Sequence, residues 1–106
     1  MSDLVVILTT TATAAEANAL AAALVDEKLA ACVLIQPGTS SYCFWDGKAQ
    51  LAEEVTVLIK TTADMTAAVE ERFKTLHPYK VPVFIVMPST YASASYSDWV
   101  REALGK

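Results

Sequence analysis

The chain is short of the residues from which most catalytic and metal sites are built. Its 106 residues include one histidine, two cysteines and three glycines, and only 19% of them are charged. It has no Ser-His-Asp order, no GxSxG and no glycine-rich phosphate or dinucleotide motif, so little in it indicates catalysis. Eight basic residues against twelve acidic ones give a net charge of −4, which argues against a nucleic-acid partner.

Long apolar runs and basic leader segments are also missing. No run approaches the ~18 residues that a membrane span needs, so no membrane partner is expected. The beginning, Met1-Ser2-Asp3, has no basic segment of the kind that opens a signal peptide. Cys32 and Cys43 fall on one predicted strand, roughly 35 Å apart, whereas a disulfide needs Cα atoms within ~7 Å. Reduced thiols and a cytoplasmic location are therefore the expectation.

What the chain does have is a long apolar ribbon over residues 31–61. Two β-branched and aromatic runs, residues 32–45 and 51–59, flank Asp46-Gly47, a pair that favours a hairpin turn. A strand of the first run's length would span roughly 45 Å, about twice the usual strand. Because 54% of the chain is hydrophobic, we interpret the ribbon as an arm that packs on partner subunits. The alternative is a hairpin broken at Pro37-Gly38 that folds back on its own domain.

The remaining periodicities predict a single domain over residues 1–106. The predicted elements are a central strand over 4–8 exposed on neither face, a helix from a Thr13–Glu16 capping box to about Lys28, the two hairpin arms, a helix with the stripe Met65, Val69, Phe73 and Leu76, a strand over 81–87, and a helix capped by Ser93 or Ser95. This order is the split βαβ, or ferredoxin-like, βαββαβ pattern with an extra C-terminal helix. The predicted class is α+β with an antiparallel sheet.

Few side chains are candidates for chemistry. His77 is read either as a metal ligand or proton carrier, or as a partly buried histidine that bonds the backbone. Cys32 is favoured as a core residue over a thiolate ligand. Tyr79 and Trp99 suit an interface, a cleft wall or the core. The neighbouring carboxylates Glu53-Glu54 look like a solvated hairpin rim.

Five segments, in chain order, match a known pattern. They are LVDEKLAACV at 24–33; Pro37-Gly38 with Ser41 and Trp45-Asp46-Gly47-Lys48; Glu54-Val55 with Ile59-Lys60-Thr61; Leu76-His77-Pro78-Tyr79 with Val81-Pro82; and Tyr96 with Trp99-Val100. On these segments the chain resembles the CutA family of divalent-cation tolerance proteins. The resemblance implies a ferredoxin-like subunit in a homotrimer similar to the PII signalling proteins, with a link to copper and other divalent metals. No established enzymatic activity follows from it, and we expect a protein that is not an enzyme. The resemblance also implies clefts between subunits, lined by Cys32, Lys60, His77, Tyr79 and Trp99.

The departures from the family pattern concern the metal. A copper site in one branch of the family uses a cysteine and two adjacent histidines, which correspond here to Thr9, Leu76 and His77. His77 is therefore the candidate metal residue, for Cu²⁺ or another divalent cation. Lys80 replaces an acidic residue and favours a small anion in the cleft. The alternative functions are a structural trimeric module and a PII-like anion sensor without metal.

Overall fold

The computed structural model describes residues 2–106, in which a four-stranded sheet is combined with three α-helices. The elements are β1 (Leu4–Thr11), α1 (Ala14–Asp26), β2 (Cys32–Trp45), β3 (Lys48–Thr62), α2 (Thr66–Leu76), β4 (Ile85–Pro88) and α3 (Ala94–Ala103), with a short 3₁₀ turn (Ala63–Met65) before α2. The strand order is β2-β3-β1-β4, and all neighbours are antiparallel. The predicted α+β, ferredoxin-like class is confirmed. Within residues 2–106, no helix has the length and apolar character to cross a membrane.

One face of the sheet carries the main core beneath α1 and α2. A capping box starts α1: the Thr13 hydroxyl accepts from the Glu16 amide at 3.2 Å, and Glu16 Oε1 accepts from the Thr13 amide at 3.1 Å. The predicted stripes of both helices then face the odd-numbered side chains of β1 and β3. The buried members of this core are Val5, Ile7, Ala17, Leu20, Leu24, Ala30, Val55, Val57, Ile59, Val69 and Phe73.

The prediction that β1 is a central strand exposed on neither face is confirmed, although only one of its faces is fully buried in a single subunit. Val5 and Ile7 are buried, but Val6 and Leu8 on the opposite face are only half-buried. Polar and apolar residues do not alternate along this run because both faces of β1 are apolar. In one chain, helices fully cover only the face that carries Val5 and Ile7. The uncovered side chains form a surface that we call the open sheet face: Val6, Leu8, Leu34, Leu58, Ile85 and Met87.

The long hairpin has the predicted first arm and the predicted turn. Its two turn residues both have positive φ, 52° at Asp46 and 77° at Gly47, as a tight two-residue hairpin turn requires. At Pro37-Gly38 the strand neither breaks nor folds back; the register shifts between Gln36 and Thr39 and the pairing then continues to Trp45. The longest dimension of the molecule is 45 Å.

The predicted strand over residues 81–87 is mostly wrong, since β4 runs only from Ile85 to Pro88. Extending the register of Leu8 with Ile85 would bring Pro82 and Val83 beside the end of β1. Pro82 has no amide hydrogen to donate, and the Thr10 carbonyl is already bonded by the His77 ring. Residues 81–84 are therefore left without a strand partner in the subunit.

The last helix lies on the other side of the sheet from α1 and α2. Its Val100 packs with Leu4, whereas the adjacent Val5 belongs to the main core. Ser93 caps α3 by accepting from the Tyr96 amide at 3.3 Å, and Gly105 follows its end with a φ of 79°. Because α3 covers only one end of the sheet, the open sheet face remains beside it.

Candidate functional site

The six residues predicted to line a ligand or metal site fall into two groups within one subunit. Cys32, Lys60 and Trp99 lie at the α3 end of the open sheet face, and His77, Tyr79 and Lys80 follow the end of α2. Lys60 pairs with Val6 of β1, whereas the His77 ring bonds Thr10 of the same strand. Four strand residues separate these points by about 13 Å. A single subunit therefore does not bring the predicted site together.

The first group is built around a lysine that lies over an aromatic ring. The Lys60 ammonium is 5.4 Å from the centroid of the Tyr96 ring. Tyr96 in turn stacks on Trp99, with centroids 5.7 Å apart and planes 25° apart. Cys32 is the strand partner of Lys60, half-buried and not in a disulfide. The group offers an ammonium, a half-exposed indole and a thiol on an otherwise apolar face.

Both ring nitrogens of His77 are engaged by the protein backbone. The Tyr79 amide donates to Nδ1 at 3.1 Å, so Nδ1 must be unprotonated. Nε2 lies 2.9 Å from the Thr10 carbonyl oxygen, which can only accept, so Nε2 carries the proton. The ring is buried, and Nε2 also lies 3.3 Å from the Thr9 hydroxyl. This geometry corresponds to the structural alternative for His77, while its role as a metal residue stays a prediction.

Glu54, which was predicted to be a solvated residue on the rim of the hairpin, is part of a polar cluster. Glu54 is half-buried on β3 and accepts hydrogen bonds from the Ser41 hydroxyl at 2.8 Å and from the Tyr79 hydroxyl at 3.0 Å. Its two partners come from β2 and from the segment after α2. Glu54 therefore ties the base of the hairpin to the segment that carries His77 and Lys80. In the sequence, Glu54 is only a polar residue beside the buried Val55 on a strand, and that pattern did not reveal this role.

The cluster changes the acidities of both of its ionisable members. Burial raises the pKa of Glu54, but the hydroxyls of Ser41, Thr10 and Tyr79 outweigh it, so the pKa lies below the ordinary value. The Thr10 hydroxyl contributes although it makes no hydrogen bond of good geometry within residues 2–106. Burial, the hydrogen bond to Glu54 and the nearby carboxylates raise the pKa of Tyr79 to about 12. At neutral pH the pair is thus a carboxylate and a neutral phenol.

The donor set of one chain does not fit a metal centre. Over the described range, 2–106, no three histidine, cysteine or carboxylate side chains come together as a metal would require. The one histidine of the sequence has both nitrogens engaged, and Cys32 lies in the other group. A metal ion would need donors from another subunit and would have to displace one of the backbone partners of His77.

Comparisons with known proteins agree with this fold over nearly the full chain. The family model described as "CutA1 divalent ion tolerance protein" matches residues 5–103. The Divalent-cation tolerance protein CutA of Thermus thermophilus is 41% identical over 100 residues, which cover 94% of this chain and 97% of that protein. The protein of the same name from Citrobacter koseri is 38% identical over 102 residues, or 96% and 89% of the two chains. The solved structure of CutA from Synechococcus elongatus superposes with a TM-score of 0.94 at 36% identity, covering 98% of this chain and 92% of that one.

Proposed function

Because the chain belongs to the CutA1 family of divalent ion tolerance proteins, we propose that it acts as a cytoplasmic homotrimer in the response to divalent metal ions. In this proposal it is a binding or signalling protein and not an enzyme. Its ligand binds at clefts between subunits, and copper is the first metal to test. The relatives are named as tolerance proteins, which fits a binding role.

The observation that carries the proposal is the amount of apolar surface that the subunit leaves exposed on its sheet and hairpin. On the open sheet face, Leu34 is 45% exposed and Ile85 is 53% exposed. At the hairpin tip, Tyr42 and Phe44 are 77% and 76% exposed. Exposed apolar patches of this kind mark association surfaces in soluble proteins. A second and third copy of the chain would cover them.

The separation of the two residue groups supports a cleft between subunits. In a closed ring, each subunit presents different surfaces to its two neighbours. The group with Lys60 and Trp99 on one subunit can then face the group with His77 and Lys80 on the next. Residues 81–84, which lack a strand partner, also offer an edge to a neighbouring hairpin.

A small-anion sensor is the second candidate function, favoured by the charges of the two groups. Lys60 and Lys80 bring one ammonium to each side of the proposed cleft, and neither forms an ion pair within the range 2–106. Two ammonium groups attract an anion and oppose a bare cation. A purely structural trimer is the remaining alternative, and no observation on the site favours it specifically.

The test is the oligomeric state of a matched pair of variants. Leu34→Glu places a charge on the open sheet face, whereas Val25→Glu places the same charge on α1 at a residue of similar exposure, 41% against 45%. We expect wild type and Val25→Glu to sediment as trimers at micromolar concentration and Leu34→Glu to dissociate, because a buried unpaired charge is costly. A folded wild-type monomer, or a Leu34→Glu trimer as stable as wild type, would refute the proposal.

A further inference from the structure

A groove on the helix-bearing side of the subunit adjoins the second of these groups, because Tyr79 and Lys80 are among its lining residues. It lies between α2 and residues 79–84 and has a volume of about 410 Å³. Ligand sites of small molecules measure roughly 300–1,000 Å³, so the groove suits a compact ligand. Its lining residues belong to α2 and to the segment that follows α2.

The floor and one wall of the groove are rigid and aromatic. Phe73 meets Phe84 edge to face, with ring centroids 5.0 Å apart and planes at 86°. Phe73 is only 3% exposed and is fixed in the main core. The Tyr79 ring is fixed at its far end by the hydrogen bond to Glu54. A flat aromatic or bulky apolar group would meet preformed ring surfaces here.

Opposite charges stand on the two walls. Glu70 projects from α2, one turn before Lys74, and Lys80 projects from the facing segment. Lys74 is already paired with Glu71 at 2.8 Å. Neither Glu70 nor Lys80 has an ion-pair partner among residues 2–106. A simple anion would meet the repulsion of Glu70, and a simple cation that of Lys80, so a ligand with both charges fits best.

We propose that this groove binds a small aromatic zwitterion of the α-amino-acid class. Its ammonium group faces Glu70, its carboxylate faces Lys80, and its ring lies on Phe84, which Phe73 supports from the core. Both charged walls are exposed, so each ionic contact contributes only modestly, about threefold in affinity. The aromatic floor supplies the remaining binding.

The experiment uses L-phenylalanine as the probe, titrated into the intact protein by calorimetry or ligand-observed NMR. Two analogues each lack one charge: 3-phenylpropionate has no ammonium, and phenethylamine has no carboxylate. We expect each to bind about threefold more weakly than L-phenylalanine. Equal binding of either analogue, or no saturable binding of L-phenylalanine, would overturn the proposal.

Substitutions of Glu70 and Lys80 then test which charged group of the ligand each wall contacts. Glu70→Gln should weaken L-phenylalanine about threefold but leave 3-phenylpropionate unaffected or bound more tightly, because that analogue has no ammonium to lose. Lys80→Gln should likewise weaken L-phenylalanine and not phenethylamine. Glu102→Gln, an exposed carboxylate on α3 outside the groove, is the control and should change nothing. An effect of Glu70→Gln no greater than that of Glu102→Gln would contradict the assignment.

Failure of this proposal and failure of the proposed trimer cleft are distinguishable. Sedimentation reports on the trimer, whereas Glu70 belongs to the groove alone. A wild-type monomer that binds L-phenylalanine would support the groove proposal and refute the cleft between subunits. A trimer that does not bind L-phenylalanine would support the trimer and refute the groove proposal.

Discussion

Removing the Tyr79 hydroxyl tests whether Glu54 ties the hairpin to the segment after α2. Tyr79→Phe deletes one hydrogen bond of 3.0 Å to a carboxylate and keeps the ring that packs 5.0 Å from His77. Hydrogen bonds to charged groups contribute about 1.5–3 kcal/mol. Because Glu54 keeps its bond from Ser41 and is only half-buried, we expect the lower end, a loss of about 1.5 kcal/mol.

The assay is urea unfolding at pH 7 and one fixed protein concentration, since association changes apparent stability. Tyr91→Phe is the control, because the Tyr91 side chain is 82% exposed. A double-mutant cycle with Glu54→Gln isolates the pair. A loss for Tyr79→Phe no larger than that for Tyr91→Phe would refute the idea that Glu54 and Tyr79 form a stabilising tie.

The hydrogen bond between Tyr79 and Glu54 should also make the stability of the protein depend on pH, at both high and low pH. The folded pKa of Tyr79 is raised from 10.0 to about 12, so its contribution is complete below about pH 10 and is lost as the pH rises through about 12. The folded pKa of Glu54 is lowered from 4.5, so its contribution is complete above that value and is lost as the pH falls through the folded pKa. The difference in stability between wild type and Tyr79→Phe should therefore shrink at both extremes and be constant between them. A difference that persists undiminished above pH 12 would contradict this reasoning.

Two further predictions concern the metal and the core. His77→Ala removes the one imidazole of the chain, and the proposed metal response predicts at least a tenfold loss of Cu²⁺ affinity by calorimetry; an unchanged affinity in a folded variant would remove His77 from the site. Leu24→Ala opens a cavity at a side chain that is 0% exposed between α1 and the sheet, and should cost about 2–5 kcal/mol in urea unfolding. A cost below about 1 kcal/mol would mean that the core collapses to fill the space.

The sequence predicted best those elements whose determinants are local. The Thr13–Glu16 capping box and the Asp46-Gly47 turn depend on residues next to each other in the chain, and both are observed. The ends of β2 agree with prediction because its apolar run stops at the turn. Residues 81–84 were predicted as strand from composition alone. They are not strand because pairing depends on a partner edge, which the sequence pattern cannot supply.

The role of Glu54 was hidden for a related reason. Its partners Ser41 and Tyr79 are 13 and 25 residues away in the chain, so their approach depends on hairpin register and on where α2 ends. An acidic residue in a polar stretch of hairpin has no local feature that distinguishes a rim carboxylate from a bonded one. The signal that could have found it is positional: Glu54 lies directly opposite Thr39, where the register shifts after Pro37-Gly38.

The division of the predicted site into two groups is itself informative about assembly. If all six residues served one subunit, folding would be expected to gather them, as it gathers Glu54, Ser41 and Tyr79. Instead, Lys60 contacts β1 at Val6 and His77 contacts it at Thr10, about 13 Å further along the strand. Lys60 lies beside the open sheet face, and His77 lies near the unpaired residues 81–84. In the proposed trimer, the contact between neighbours joins two different surfaces, and that contact is what would bring the two groups together. On the proposed trimer, a change at Lys60 and a change at His77 therefore act on the same cleft from opposite subunits.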